Sequence, residues 1–225
     1  MTQTAGPASY ARSRRGWISV KYDQRTWIPC PPVFPAGESR DSWASLYAAD
    51  WWARSGMDFG GREVAALVRT LTGIHEYAYG QLPMHRGFIH LPDLTIAPLL
   101  LSFGIWEAAG EPAAQLRILT HADDPEAMQP PLVEEFRTDL LGPGLKVLAY
   151  TRRDQVVTGH LNYAWRSEEH ATALRVFTGS PDLGRLQRAM PDIERLARSV
   201  AIIKNGQKSA RPRLFGTMLP IVSKT

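Results

Sequence analysis

The sequence predicts an α+β fold, a mostly antiparallel twisted sheet of about six or seven strands packed against helices in an α/β/α sandwich-like arrangement. Three observations lead there. Between residues 145 and 178 the apolar side chains repeat with a period of two, in three runs separated by short polar turns. Residues 41–79 and 181–203 repeat instead with helical spacing. The third is composition: 44% hydrophobic and 21% charged residues over 225 positions suit an ordinary packed domain and exclude collagen-like, coiled-coil and wholly disordered chains.

Taken in order, Trp17 to Tyr22 alternates and reads as a first strand, turned at Asp23-Gln24 into a short hairpin arm from Arg25 to Ile28. Pro29, Pro31, Pro32 and Pro35 then forbid regular structure until Ser39. Asp41 to Ser55 places Trp43, Leu46, Tyr47 and Trp51 on one helical stripe. After Asp58, Gly60 and Gly61, a second helix runs from about Arg62 to Tyr79, with Val64, Leu67, Val68, Leu71, His75 and Ala78 along one face. From Gly87 the period returns to two. Phe88 to Leu91, Thr95 to Trp106 and Gln115 to Thr120 read as three strands, joined at Pro92-Asp93 and at Gly110-Glu111-Pro112.

Pro130-Pro131 predicts a helix start, with Leu132, Val133, Phe136 and Leu140 as its stripe and Gly142-Pro143-Gly144 as its end. Leu145 to Thr151, Val156 to Arg166 and Ala171 to Thr178 form a meander through the turns Arg153-Asp154 and Ser167-Glu168-Glu169. Ser180 with Pro181 opens a terminal helix, which Pro191 restarts or kinks and whose Ile193, Leu196, Ala197 and Val200 face the core. The domain organisation expected is a basic N-terminal tail over 1–15, a single α+β domain over 16–203, and a basic and apolar extension over 204–225.

Charge sharpens that division. Of 26 basic side chains, Arg12, Arg14, Arg15, Lys204, Lys208, Arg211, Arg213 and Lys224 lie in the ends, where there are no acids. The body keeps 18 basic against 22 acidic groups, a formal charge of −4, so nucleic-acid binding is disfavoured except through the tails. Arginine outnumbers lysine by 21 to 5, the usage of a GC-rich bacterial coding sequence. The longest apolar stretch, Ile96 to Trp106, is too short and too interrupted to span a membrane, and no secretory signal is legible, so a cytoplasmic location is the expectation.

Candidate chemistry is sparse. His75-Glu76 begins a zinc-protease signature, but Tyr79 stands where the second histidine belongs. His85 and His90 fall on opposite faces of an extended segment. His121, Asp123 and Asp124 form the densest polar cluster, with hard-cation or acid/base potential, although Asp-Asp-Pro is also common turn chemistry. Cys30 lies between prolines with no helix N-terminus directly after it to stabilise a thiolate, and no second cysteine exists to pair with it. No metal or cofactor is implied, and no catalytic residue is assigned.

Interface potential is richer. Trp27, Trp43, Trp51 and Trp52 crowd the proline loop, and the adjacent Trp51 and Trp52 cannot share one helical direction. Trp52 is therefore expected to show a face to a partner, with Trp27, Trp51 and Pro32 beside it. Phe215 and Leu219 mark the terminal extension as a docking peptide, on the chain's own body or in a homo-oligomer.

Read from Gly144 to Ile203, the order strand, long strand, strand ending Arg175-Val176-Phe177, then Ser180-Pro181-Asp182 and the helix Asp192 to Ser199, resembles the C-terminal half of the Mog1/PsbP-like α/β/α proteins. The opening with Trp27-Ile28-Pro29 is similar to their start, while the helices at 41–79 are longer. The resemblance covers about half the chain and implies a sheet sandwiched by helices that serves as a binding or assembly module. Three functions follow as expectations. The first is a non-enzymatic adaptor acting through protein–protein contacts. The alternatives are a hydrolase or metal-dependent enzyme built on His121, Asp123 and Asp124 with His75 and Glu76, and a polyanion or membrane-surface binder working through the tails.

Overall fold

A computed structural model describes residues 16–56, 61–81 and 86–204. Phe215, Leu219 and the basic tail residues outside β9 lie outside the described residues, as does His85. Seven strands form one antiparallel sheet in the order β2 (Trp27–Cys30), β3 (Arg86–His90), β4 (Leu99–Glu107), β8 (Thr172–Ser180), β7 (Val156–Ser167), β6 (Gly144–Arg153), β5 (Leu132–Glu135). A separate two-stranded ladder joins β1 (Gly16–Ser19) to β9 (Ala201–Lys204). Helices α1 (Arg40–Ser55), α2 (Gly61–Gln81), α3 (Pro112–Thr120) and α4 (Leu183–Arg198) complete the elements.

Alternation along the strands divides the side chains between two faces. One face carries Phe88, Leu101, Phe103, Leu161, Tyr163, Trp165, Leu174 and Val176, and α4 covers it with Leu186, Ala189, Ile193 and Leu196. Lys146 ties the helix to the sheet, its Nζ lying 2.7 Å from Glu194 Oε1 and 3.1 Å from Glu134 Oε2. The opposite face is covered at one end by α1 and α2, through Trp43, Ala48, Trp51 and Leu71 against Ile28, Cys30, Ile89 and Leu91. Towards its other end, α3 sets Leu119 on Ala164 and Ala173. This is an α+β sheet packed between helices, as the two periodicities predict.

Four expectations about elements are corrected. Residues 112–120 are helical rather than extended: the Glu111 carboxylate accepts the amides of Ala113 and Ala114, Pro112 occupies the first turn, and His121 closes the helix in the left-handed region at φ 55°. The Leu116–Leu119 spacing, not the alternation, decides the segment. Residues 132–135 are a strand, not a helix, because Val133 and Glu134 find cross-strand partners in Val147 and Lys146. The opening segment pairs with β9 instead of folding back on residues 25–28, which join β3. The terminal helix is capped by Asp182, whose Oδ1 accepts the Arg185 amide at 2.8 Å, and so begins after Pro181.

Candidate functional site

Among the described residues no three His, Cys, Asp or Glu side chains converge as a metal-binding group. The alternative cluster is dispersed. Asp123 is held by Arg117, with Nε 2.8 Å from Oδ2, and Asp124 Oδ1 accepts the Glu126 amide at 2.9 Å, the turn chemistry an Asp-Asp-Pro sequence offers. His75 is far from both in its partners: its Nε2 bonds Pro31 O at 2.9 Å and its ring sits among Phe34, Trp43 and Tyr79. Glu76 pairs with Arg40. The position that breaks the zinc signature has a structural task, since the Tyr79 hydroxyl donates to Cys30 O.

The four tryptophans that crowd the proline loop, Trp27, Trp43, Trp51 and Trp52, are inside. Trp27 packs its ring 4.6 Å from His90, Trp43 Nε1 donates to Pro29 O at 3.1 Å, and Trp51 Nε1 donates to Leu91 O at 2.6 Å. Trp52, expected to face outward, is 8% exposed. The adjacency argument fails because α1 is covered on two sides, by the sheet and by α2. At about 100° per residue, the buried Trp43, Ala44, Ala48, Trp51 and Trp52 span an arc of about 180°. Pro32 remains exposed in its loop.

What the fold does assemble is a polar patch on the helix-pair face of the sheet, in the gap between α2 and the turn after α3. The antiparallel register places His160 opposite Gly179 and Asn162 opposite Phe177, with Arg175 diagonal to Asn162. Asn162 Oδ1 accepts from Arg175 Nη2 at 2.6 Å and from Nε at 3.1 Å. Arg175 Nη1 lies 3.2 Å from His121 Nε2, which the left-handed cap swings over the sheet. The guanidinium carbon stands 4.4 Å above the Phe177 ring. Thr151 Oγ1 contacts His160 Nε2 at 2.8 Å. A Cβ on Gly179 would lie 3.1 Å from His160 Nδ1, so glycine there gives the imidazole its room.

Accessibility distinguishes this face from its reverse. Leu161, Tyr163 and Val176 are buried under α4, whereas Arg175, Phe177 and His160 are partly exposed and Gly179 and His121 are exposed. Beside them, Gly179, Leu100, Tyr77, Gly73 and Arg69 line an open depression of about 500 Å³. The electrostatics are set by burial. It lowers Arg175 to about 10, and no described carboxylate forms an ion pair with that guanidinium. It also lowers His121 and His160, with Arg175 acting in the same direction and Asp124 opposing it.

Sequence reasoning missed Arg175, Asn162 and His160 as a group. The signal available was that His160 and Asn162 alternate with Leu161 and Tyr163, which puts two polar groups on the face away from the apolar one.

No protein-family model matches the chain, and no curated protein matches it. A solved structure, that of LpqN involved in cell envelope biogenesis of Mycobacterium tuberculosis, is similar with a TM-score of 0.45 and 9% sequence identity, over 83% of this chain and 83% of that chain. Among the described residues no helix is long and apolar enough to cross a membrane.

Proposed function

We propose that this protein is a non-enzymatic binding module, an adaptor that takes up a protein partner across the open part of the sheet face between α2 and the turn after α3. One observation carries the reading: Arg175, a largely desolvated cation in the middle of the sheet, is held by neutral groups, Asn162 and His121, and has no carboxylate partner among the described residues. A guanidinium fixed by an amide and an aromatic face is pre-ordered for an external contact, which lowers the entropy cost of binding. The neighbouring depression is shallow and open, a shape suited to a peptide segment more than to a reacting small molecule. The α/β/α layering is compatible with the Mog1/PsbP-like resemblance, whose members serve as binding or assembly modules.

The test is a thermal-shift screen of the full chain against short peptides of acidic, neutral and basic composition, alongside nitrophenyl ester and phosphoester turnover assays. Saturable stabilisation that disappears in Thr158→Trp, which adds bulk on the floor of this face, supports the reading. Turnover above buffer that is lost in His160→Ala would replace it with a hydrolase working from the Thr151–His160 contact.

A further inference from the structure

We infer that Arg175, His121 and His160 form an oxyanion site, taking a carboxylate or a phosphate group, and that binding draws protons onto the two imidazoles. The inference deepens the binding-module reading and rests on it for the face but not for the partner.

The donor count comes first. A guanidinium offers five N–H groups, of which Nε and one on Nη2 go to Asn162 and one on Nη1 goes towards His121. One N–H on each Nη therefore has no described partner, and where the Nη1 contact to His121 gives way the two Nη groups present a planar fork that matches two oxygens of a carboxylate or phosphate. Phe177 beneath and Asn162 alongside hold the fork in one plane. Asn162 is itself buried, so the fork is built into the sheet rather than carried on a free stem.

The imidazoles supply the second element. His121 and His160 both feel Arg175 and Asp124, which approach from β8 and from the turn after α3. Burial and the guanidinium both push the two rings towards the neutral form, and only Asp124 acts the other way. A bound oxyanion adds negative charge beside them and offsets the guanidinium, so His160 gains affinity for a proton when the site fills, and His121 does so as Nη1 leaves its Nε2 for the anion. By the same linkage, anion affinity rises as pH falls.

The experiment uses the full chain with sulfate, which does not titrate in this range, and with acetate, following the ring proton signals of the six histidines by NMR between pH 8 and pH 5.5. Expected are saturable shifts at His121 and His160, with affinity at least about fivefold tighter at pH 6 than at pH 8. Arg175→Gln should weaken binding at least about tenfold, while Arg153→Gln, at the exposed end of β6, leaves it unchanged. Should Arg175→Gln fail to fold, His121→Asn, which tolerates the left-handed cap, should still weaken binding and flatten its pH dependence. Sulfate preference over acetate assigns the site to phosphate-like groups, and the reverse assigns it to carboxylates. Shifts confined to His75, His90 or His170, or equal affinity in both variants and the native chain, overturn the inference. If peptides bind and Arg175→Gln does not matter, the oxyanion site is wrong and the binding face stands. If sulfate or acetate binds at Arg175 and no peptide does, the site stands and the adaptor reading falls.

Discussion

His90 Nε2 lies 2.9 Å from Asp192 Oδ2, joining the end of β3 to the second half of α4 across 102 residues of sequence. Arg185 closes the other side: its Nη2 is 2.7 Å from His90 Nδ1 and 2.9 Å from His90 O, and its Nε donates to Ala97 O at 2.8 Å. Because Arg185 can only donate, Nδ1 must accept, which places the ring proton on Nε2, directed at Asp192. The imidazole–carboxylate pair looks like a catalytic dyad in one dimension. In three it is a staple, since His90 is buried beneath α4 beside Trp27.

The staple predicts a stability cost. Arg185 is 2% exposed, and Arg185→Met leaves the His90 carbonyl and imidazole nitrogen, both buried, and the Ala97 carbonyl without their donor. The expected loss is about 2–4 kcal/mol, read as a lower urea midpoint with an unchanged slope. Arg188→Met, one turn position on without such partners among the described bonds, should stay within about 0.5 kcal/mol. Equal effects of the two substitutions would show that the staple contributes nothing.

Acid should destabilise the fold in the histidine range. Burial lowers the pKa of His75, His90, His121 and His160, so the native state binds fewer protons than the unfolded chain. Stability from this source is fully present above the unfolded value of about 6.5 and is lost as pH falls through the lower native values. The urea midpoint should be level from pH 8 to pH 7 and decline below about pH 6.5, less steeply in the presence of sulfate if the oxyanion site fills. A midpoint that rises on acidification would mean that the imidazoles gain partners on folding rather than losing water.

The parts of this fold written locally were legible, and the parts written across the chain were not. The meander of β6, β7 and β8 follows from strict alternation, as in Leu161, Tyr163 and the residues between, and the stripe Ile193, Leu196, Ala197 marks α4 unaided. Residues 115–120 alternate by accident: Ile118, inside the segment read as a strand, is 74% exposed on a helix anchored by Leu116 and Leu119. The pairing of β1 with β9 has no local trace, since Gly16 meets Lys204 across nearly the whole domain. The same holds for the site. Nothing near Arg175 in sequence announces Asn162 or His121, and only the β7–β8 register and the landing point of the turn after α3 bring the three together.

Cys30 should be inert in the native protein. Burial pushes its thiol up to about 12, with Tyr79 pulling weakly the other way. At pH 8 the thiolate fraction is then on the order of one part in ten thousand, and the sulfur lies under α1 and α2. A thiol reagent such as Ellman's should react at the rate of unfolding, accelerating in urea in step with the loss of helical signal. Complete labelling within seconds in buffer would instead mean that β2 separates from β3 in the native state.

Trp52 separates packing from partner contact on α1. With its side chain 8% exposed, Trp52→Ala should cost about 3–5 kcal/mol by removing a large buried ring, whether or not any partner is present. Leu46, on the same helix and 56% exposed, provides the contrast: Leu46→Ala should stay within about 0.5 kcal/mol. Chemical denaturation of the isolated chain distinguishes the cases directly. A tryptophan held for a partner alone would leave the isolated protein's midpoint where it was, and that outcome would return Trp52 to the surface role its adjacency to Trp51 first suggested.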